Sequence, residues 1–385
     1  MRYNKLFKIL FVVKACLFTF TCFTRVFLLF SLTTLIFISC QKEPVREVKK
    51  DPSDPPTIPV TYDSGIFVLN EGNFNTGNAS ITFIDNAKNI VIQDIFNKSN
   101  GRSLGDIAQS MKIFGDKIFI VVNNSNRIEV VSLRDFKSAS TITGLHSPRY
   151  IEFVDENRAY VTNLKNDISI IDIKSFTLIK TISTPNWTEG IIRYKNFMYI
   201  TCIGSFNEPN SKRKAQIFVI DTKDDRIIDS INTGKEPTSI VIDRKEKIWV
   251  LCSGGYDHYE PASLLRIDPV TRIVENTYIF QDINDLPSRL CINPSSDTLY
   301  YLNNGVYRMG VSQQQLPDQP FIPSYGRLFY GLNIHPVKGT IYVTDAIDYI
   351  QNGVVYQYSS NGILIRTYPA GRVPAYTCFT ETSRK

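Results

Sequence analysis

The stretch IFVIDTKDDRIIDSINTGKEPTSIVID, residues 217–243, contains the unit from which most of the chain is built. An apolar run ends in Asp-Thr and a charged turn, a second run rich in Ile follows, and a Gly-Lys-Glu-Pro segment leads into a third. Alternating β-branched and aromatic residues bounded by Asp, Gly and Pro are typical of short strands joined by tight turns. The stretch therefore predicts an antiparallel sheet.

This unit recurs from Gly65 onward. Seven apolar runs end in Asn, Cys or Asp: IFVLN (66–70), KIFIVVN (117–123), RAYVTN (158–163), FMYITC (197–202), KIWVLC (247–252), TLYYLN (298–303) and TIYVTD (340–345). They start roughly every 40 to 50 residues, which is the period of a propeller blade, and four short strands fill one blade. The sequence predicts an all-β fold, a seven-bladed β-propeller with four antiparallel strands per blade. One helical turn is expected near Gly105–Met111.

The two ends of the repeat region are complementary. The first unit starts at the second strand of the pattern, IFVLN (66–70), while the last unit is followed by one extra strand-like piece, PAYTCFT (374–380). An unpaired sheet edge promotes aggregation. We therefore expect the C-terminal strand to close the ring as the inner strand of the first blade.

Composition narrows the function. The 385 residues are 43% hydrophobic and 12% aromatic, enough for a large core, and the formal charge is +6. The first 39 residues hold five Lys or Arg and no acid, so 38 basic and 37 acidic residues remain after them. This near-neutral body has no electrostatic footprint for nucleic acid. Three His and no clustered Cys argue against a zinc site, and we predict neither metal nor cofactor.

The N-terminus has the pattern of an export signal. Arg25 precedes the apolar run VFLLFSLTTLIFIS (26–39), which is short for a membrane span and suits a signal peptide. Phe37-Ile38-Ser39-Cys40 resembles a bacterial lipobox, although Phe37 replaces the usual Leu. We predict a lipoprotein signal peptide over 1–39, a lipid on Cys40, a proline-rich tether over 40–62 and a propeller over 63–385. An uncleaved anchor or an ordinary secretory signal are the alternatives.

Ligand contacts are expected on one face of the ring, which is formed by the loops leading into each inner strand and by the second hairpin of each blade. Examples are HSPRY (146–150), NWTEG (186–190) and SGGYDHYEPA (253–262), which are rich in Asn, Arg, Tyr and Trp. The candidate ligand-binding residues are Arg149, Trp187, Glu189, Glu236, Tyr256, Arg289, Tyr330 and Tyr376.

Each candidate has a plainer interpretation. Trp187 and Tyr256 are either ligand platforms or packing plugs. Arg149 and Arg289 either point at the central axis or form salt bridges with Glu189 or Asp106. Four Asn residues recur at one strand end, where a turn role through the left-handed region is favoured. Four Cys residues lie in apolar runs and are read as small buried hydrophobes. The two sets are Asn70, Asn123, Asn163 and Asn303, and Cys202, Cys252, Cys291 and Cys378.

Catalytic motifs are weak. His146, His258 and His335 lie in different units without HExxH spacing, and neither a GxSxG elbow nor a phosphate-binding loop occurs. We predict that the protein is not an enzyme. A lactonase-like hydrolase with acidic residues at the central tunnel is the less favoured alternative.

The repeat form of residues 217–243 resembles the YncE-like propellers. FVLNEGNFNTGNASITFID (67–85) and SLGDIAQSMKIFGDKIFIVVNNSNRIEVV (103–131) more specifically resemble the YncE-like surface lipoproteins of Bacteroidetes, which include the cobalamin-binding BtuG type. The resemblance implies a seven-bladed propeller anchored in the outer membrane and facing the cell exterior. It would bind a ligand, with a corrinoid such as cobalamin preferred, and pass it to a TonB-dependent transporter. Heme, a siderophore or a glycan fit the same loops, and a protein-interaction scaffold is the competing class.

Overall fold

The computed structural model describes residues 61–62, 64–204 and 215–381, all within one compact unit of residues 60–385. These residues form seven four-stranded antiparallel sheets, which confirms the predicted fold. Blade 1 contains β1 (Ile66–Asn70), β2 (Ser80–Asp85) and β3 (Ile90–Ile92); blade 2 contains β4 (Ala108–Phe114), β5 (Lys117–Val122), β6 (Arg127–Ser132) and β7 (Ser138–Ile142); blade 3 contains β8 (Pro148–Phe153), β9 (Arg158–Asn163), β10 (Asp167–Asp172) and β11 (Thr177–Ser183).

The remaining blades follow in chain order. Blade 4 contains β12 (Thr188–Tyr194), β13 (Phe197–Cys202), β14 (Gln216–Asp221) and β15 (Arg226–Asn232); blade 5 contains β16 (Pro237–Ile242), β17 (Ile248–Cys252), β18 (Ser263–Ile267) and β19 (Val274–Ile279); blade 6 contains β20 (Ser288–Ile292), β21 (Thr298–Leu302), β22 (Gly305–Gly310) and β23 (Ile322–Pro323); blade 7 contains β24 (Phe329–Ile334), β25 (Ile341–Asp345), β26 (Asn352–Tyr358) and β27 (Leu364–Arg372).

The last strand closes the ring as expected. β28 (Pro374–Phe379) pairs antiparallel with β1, with Phe67 opposite Cys378, and becomes the inner strand of blade 1. The Thr380 hydroxyl accepts a hydrogen bond from the Gly65 amide at 2.8 Å. Each inner strand lies against the inner strand of the next blade, and β28 lies between β24 and β4. The chain termini of the described region therefore share one sheet.

The core lies between blades. The middle strands are buried on both faces because each sheet is covered by its two neighbours, as the burial of all five β1 residues illustrates. Aromatic side chains fill the gaps: Phe114 of blade 2 stacks on Phe153 of blade 3 with ring centroids 4.2 Å apart. Burying such rings supplies most of the stabilisation of a fold of this kind.

Aspartates build the turns on the face opposite the predicted ligand-binding loops. Asp155 accepts hydrogen bonds from the amides of Asn157 and Arg158 at 2.7 and 3.0 Å, and Asp268 accepts from the amides of Val270 and Thr271 in the same manner. Asp is favoured there because its carboxylate satisfies turn amides that the ladders leave free. The Asp-containing turns of the sequence repeat thus have a direct structural role.

The expected helical turn near Gly105–Met111 was wrong, because Ala108 already begins strand β4. The described helix, α1 (Ile95–Asn100), lies earlier, where blade 1 has an outer strand of only three residues. With six residues it is too short to show a helical period. Ile95 and Phe96 are fully buried in the core of blades 1 and 2.

The N-terminal predictions lie mostly outside the described residues. These are the signal peptide over 1–39, the lipid on Cys40 and the tether up to residue 60. Tyr62, which we assigned to the tether, packs edge-on against Phe83 at 5.0 Å and its amide bonds to the Arg134 carbonyl. The propeller core therefore includes Tyr62. Within the described residues, no helix is long and apolar enough to cross a membrane.

Candidate functional site

Each inner strand begins with a bulge. In blade 3, for example, the register with the next strand shifts by one residue between Pro148 and Ile151. A bulge turns a side chain out of the regular ladder and is common at functional sites. The residues at this position, one per blade, are Gln109, Arg149, Glu189, Thr238, Arg289, Tyr330 and Ala375.

Buried threonines hold the bulges in place. The Thr162 hydroxyl accepts from the Tyr150 amide at 3.1 Å and donates to the Glu189 carbonyl at 2.7 Å, so it links the bulges of blades 3 and 4. Thr201 and Thr344 likewise accept a bulge amide in blades 4 and 7. The bulge geometry is therefore fixed by side-chain hydrogen bonds and does not depend on a ligand.

The bulged side chains converge on a cavity of 510 Å³, which we call the mouth cavity. Six of the seven bulge residues line it, and Ala375 is not among its described lining residues. Its wall and rim also include Glu71, Phe74, Tyr150, Glu236, Tyr256 and Tyr349. Charged, amide, hydroxyl and aromatic groups from all but one of the bulges thus face one space.

The structure brings six of the eight predicted contact residues together. These six line the mouth cavity: Arg149, Glu189, Glu236, Tyr256, Arg289 and Tyr330. Tyr376 lies deeper, in the wall of two further cavities. Trp187 precedes its bulge by two residues, is 40% exposed, and is not among the described lining residues.

Each of the three guanidinium nitrogens of Arg149 donates to a neighbouring side chain. Its Nε and Nη2 donate to the two carboxylate oxygens of Glu189 at 2.8 and 2.5 Å, and its Nη1 donates to Gln109. Burial lowers the pKa of Arg149 and Glu189 raises it, with a net rise. The guanidinium therefore stays charged, and three adjacent blades are joined by one side chain. The ion-pair alternative for Arg149 is the one observed.

Arg289 is held differently. Its Nε donates to the Tyr330 carbonyl at 3.1 Å, and its guanidinium lies 5.2 Å from the centre of the Tyr330 ring. The nearest carboxylate contact is 3.8 Å, from Nη2 to Glu71. Burial raises the pKa of the Glu71 carboxyl, while Arg289 and the Tyr330 hydroxyl, which donates to it at 2.8 Å, lower it. The net effect is a pKa above the ordinary value for Glu71, so its carboxylate is held in the charged form less firmly than an exposed one.

Glu236 is buried and is fixed by the hairpin loop 253–262 of the same blade. The Ser253 hydroxyl donates to its carboxylate at 2.9 Å. Gly255, with φ of +84°, passes so close that a Cβ there would lie 2.7 Å from the carboxylate oxygen. Glycine is required because the backbone both adopts the left-handed region and approaches the acid.

Two further cavities continue along the axis, one of 260 Å³ and one of 420 Å³. Tyr150 lines all three cavities, and Tyr376, Ile191 and Asn333 line the inner two. Burial raises the pKa of both Tyr150 and Tyr376, so both phenols remain protonated and able to donate. The walls below Tyr150 are more apolar than the mouth, except that Lys112 and Glu152 form an ion pair in the wall of the 420 Å³ cavity.

Several mouth residues were missed from sequence. Glu71 and Tyr349 lie in hairpin loops, and Gln109 and Tyr150 lie in segments that lead into inner strands. Their loops were selected correctly, but the strand register was not. The signal that would have found Gln109 and Tyr150 is the position one or two residues into each inner strand, because the bulge turns that position toward the axis.

The recurrent asparagines are structural for a reason other than the one expected. None of the four has a positive φ, so the left-handed turn role was wrong. The buried Asn70 amide instead donates to Thr82 at 3.0 Å, and Asn163 donates to Asp167 at 2.6 Å. Asn123 donates to the Pro148 carbonyl of the next blade at 3.0 Å, and Asn303 donates to Asp285 at 2.8 Å. The four described cysteines form no disulfide with one another, and burial raises the pKa of each thiol.

No group of three His, Cys, Asp or Glu suited to a metal occurs in the part of the chain that the structure describes. His146 pairs with Asp167 at 2.5 Å, His258 bonds to the Ile283 carbonyl, and His335 lies near Glu381. Each histidine therefore has a local partner away from the described wall of the mouth cavity.

Known proteins that resemble this chain share its fold. The family described as Domain of unknown function (DUF5074) matches residues 64–380. No curated protein matches the chain. A quinonprotein alcohol dehydrogenase-like protein from Bacteroides thetaiotaomicron VPI-5482 is 15% identical, with a TM-score of 0.66 over 84% of this chain and 79% of that one.

Other solved structures are more distant. A functionally unknown protein from Desulfotomaculum acetoxidans DSM 771 is 14% identical, with a TM-score of 0.59 over 83% of this chain and 100% of that one. Dihydro-heme d1 dehydrogenase NirN, solved with DHE, is 11% identical, with a TM-score of 0.53 over 86% and 78%. At these identities the likeness shows the propeller fold alone.

Proposed function

Because this chain belongs to the DUF5074 family, whose description assigns no function, we propose a function from its site: it is a non-catalytic binding protein whose mouth cavity receives a large organic ligand. The observation that carries the proposal is the convergence of six bulge residues with different chemistry on one cavity. A rigid scaffold that presents preformed polar groups binds without a large ordering cost.

The shape of the site favours a ligand that lies partly outside it. A cavity of 510 Å³ is smaller than a whole corrinoid or heme, so part of such a molecule would rest on the rim. The rim offers Phe74 and Tyr256, both exposed, and Tyr256 is 81% accessible. Aromatic faces for an apolar ring edge and guanidinium or amide donors for its polar arms fit this class.

A corrinoid is our first candidate, on the sequence resemblance stated above. We also propose that Cys40 carries the lipid, that the chain is held at the outer membrane facing the exterior, and that it passes its ligand to a TonB-dependent transporter. The proposal of a lipid on Cys40 rests on the lipobox-like sequence, whereas the proposed orientation and transporter rest on the family resemblance. Labelling with a palmitate analogue tests the lipid, since Cys40→Ala should lose the label. Protease shaving of intact cells tests the orientation.

The binding test is calorimetric titration of the full chain, purified in detergent, with cyanocobalamin, hemin and a neutral oligosaccharide panel. Tyr256 lines the mouth cavity, whereas Tyr259 of the same loop, 72% exposed, lies outside the described lining. We expect Tyr256→Ala to weaken binding about tenfold, and the matched Tyr259→Ala to change it less than about twofold. Equal effects of the two variants would place the ligand elsewhere. No heat with cyanocobalamin at micromolar concentration removes the corrinoid candidate.

A protein-interaction scaffold is the second candidate. Tyr259 and Tyr325, both more than two-thirds exposed, are aromatic side chains of the kind enriched at interfaces, and Tyr325 lies just before the inner strand of blade 7. This alternative predicts that no small molecule of the panel binds and that a protein partner depends on Tyr259 as much as on Tyr256.

A further inference from the structure

The two arginines of the mouth cavity differ in how many of their donors are used. All three guanidinium nitrogens of Arg149 donate hydrogen bonds, two to Glu189 and one to Gln109. Arg289 makes one hydrogen bond, from Nε to the Tyr330 carbonyl. A guanidinium has five N–H donors. In the described residues, neither terminal nitrogen of Arg289 has an acceptor within hydrogen-bond distance. The nearest carboxylate oxygen, from Glu71, lies 3.8 Å from Nη2.

These unused donors face a cavity. The Arg289 side chain is only 19% exposed, and it lines both the mouth cavity and the 260 Å³ cavity below. Neither terminal nitrogen of Arg289 is among the described buried polar atoms that lack a partner, so these donors are open to the solvent of the cavity. A ligand group that displaces this water must reproduce its hydrogen bonds. The guanidinium carbon lies 5.2 Å from the centre of the Tyr330 ring, and this contact together with the Nε hydrogen bond restricts the orientation of the group. The free edge is therefore held ready for an acceptor that comes from outside the protein.

Tyr150 adds a second unused donor. Its phenol lines the same two cavities as Arg289 and lies close enough to act on the pKa of that guanidinium. In the described part of the chain the Tyr150 hydroxyl has no hydrogen-bond partner, whereas the Tyr330 hydroxyl is bonded to Glu71. Two donors of different elements thus point into the space where the mouth cavity narrows.

We propose that Arg289 and Tyr150 form an oxyanion subsite at the floor of the mouth cavity, which takes a carboxylate or phosphate group of the bound ligand. A planar guanidinium edge matches two oxygens of such a group, and a phenolic hydroxyl can donate to one of them. Arg149 does not compete for the ligand because Glu189 occupies it.

The charge around the subsite permits this role. Glu189 is neutralised by Arg149, and Glu71 is the acid that faces Arg289 directly. Burial raises the pKa of Glu71, so its charge can be given up when an oxyanion arrives. The empty site keeps Glu71 near the arginine, which limits the cost of a buried cation.

The inference rests on the proposed function for the place where the ligand binds, and it narrows the ligand class. Hemin, through its propionates, an acidic sugar or the phosphodiester of a corrinoid would meet Arg289. A neutral oligosaccharide would not. Benzoate is a suitable probe because it carries one carboxylate on a ring that fits the cavity, and benzamide is its neutral isostere. Inorganic phosphate separates phosphate from carboxylate recognition.

The test titrates the full chain in detergent with benzoate, benzamide and inorganic phosphate, and follows ligand signals by saturation-transfer NMR or, for phosphate, calorimetry. We expect benzoate to bind at least about tenfold more tightly than benzamide. Arg289→Gln should abolish this preference. Arg266→Gln is the matched control: Arg266 is similarly buried, at 17% exposed, but is not among the described lining residues of the mouth.

Tyr150→Phe keeps the fold and removes only the hydroxyl, and we expect it to weaken benzoate binding about fivefold. Arg289→Lys keeps the positive charge but loses the planar edge of the guanidinium. It replaces Arg289→Gln in the test if that variant does not fold. Equal binding of benzoate and benzamide, no binding of benzoate and phosphate to the wild type, or an unchanged preference in the Arg289 variants overturns the subsite.

The experiments distinguish failure of the oxyanion subsite from failure of the large-ligand proposal. If cyanocobalamin or hemin binds wild type and Arg289→Gln equally well, the binding function stands and the subsite is refuted. If benzoate binds through Arg289 but no large probe binds, the subsite stands and the large-ligand proposal is refuted.

Discussion

Arg149 and Glu189 occupy the same position in neighbouring blades, the bulge at the start of the inner strand, and they form a two-bond ion pair across the blade boundary at 2.8 and 2.5 Å. Their side chains are 20% and 7% exposed. A single structural position thus supplies both partners, so the ion pair couples the register of one blade to that of the next. Because both residues also line the mouth cavity, the pair shapes the ligand site as well as the fold.

Glu189→Gln should destabilise the protein by about 2 kcal/mol, because it leaves the largely buried Arg149 without its charge partner. Urea unfolding measures the loss. The exposed pair Arg226–Asp224, at 3.0 Å, provides the control, and Asp224→Asn should change stability by less than about 0.5 kcal/mol. If both variants lose the same amount, the mouth pair has no special role in stability.

Ring closure makes a second prediction. Gly331, in the inner strand of blade 7, lies against the backbone of the closing strand, and a Cβ there would meet the Ala375 carbonyl oxygen. Gly331→Ala should therefore force the first and last blades apart and cost about 2 kcal/mol. Gly310→Ala is the control, since its methyl would meet Gln313 and the Asp297 carbonyl oxygen at ordinary contact distances of 3.7 to 3.9 Å. Thermal unfolding of both variants provides the measurement, and equal melting temperatures would contradict the tight closure.

Alternation and turn residues were sufficient to predict the blades. The run RAYVTN (158–163) coincides with strand β9, and β28 occupies the predicted closing place. Helix α1 could not be predicted because six residues carry no period, and only tertiary burial of Ile95 and Phe96 accounts for its packing. Sequence reveals which segments are loops far better than which side of a strand a residue occupies.

The site shows the same limit. Arg149 and Arg289 were selected together because each follows a proline-containing turn, but their different hydrogen bonding depends on Glu189 and Glu71, which come from other blades. Tyr150 was not selected, although it is adjacent to Arg149 in the segment HSPRY (146–150). A regular strand would place the two side chains on opposite faces. The bulge removes that alternation. Contacts between blades and breaks in register are tertiary facts that local patterns do not encode.

His335 predicts a pH effect on stability. Its Nδ1 accepts hydrogen bonds from the amides of Val337 and Lys338 at 3.2 Å, which requires an unprotonated Nδ1. Burial and then Lys338 lower the pKa of His335. The unfolded chain therefore binds the proton more readily, so this contribution to stability is full above the ordinary histidine pKa of 6.5 and is lost as pH falls below it.

The comparison variant is His335→Asn, because Asn293 fills the matching turn of blade 6 and accepts from the amides of Asp297 and Thr298 at 3.0 and 3.1 Å. Between pH 7.5 and 5 the wild type should lose stability relative to this variant, by at most about 1.4 kcal/mol per pH unit. Urea unfolding across that range measures it. A constant difference between the two proteins would mean that His335 is not the titrating group.

The last prediction concerns protons taken up on binding. Glu71 faces Arg289, Tyr330, Arg149 and Glu189, and burial already raises its pKa. An oxyanion on Arg289 adds negative charge beside Glu71 and should raise that pKa further. Binding then takes up a proton wherever the free Glu71 is ionised, so affinity should fall as pH rises, by at most about tenfold per unit.

Benzoate titrations from about pH 6 to 8 test this, since a carboxylic acid with an ordinary pKa near 4 stays ionised throughout. Glu71→Gln keeps an acceptor for the Tyr330 hydroxyl but cannot ionise, so it should bind benzoate more tightly at pH 8 and with little pH dependence. Calorimetry in two buffers of different ionisation enthalpy should show proton uptake for the wild type and none for the variant. The same slope in both proteins would assign the proton to another group and leave Glu71 as a fixed counter-charge of Arg289, since the distance of 3.8 Å between them permits either role.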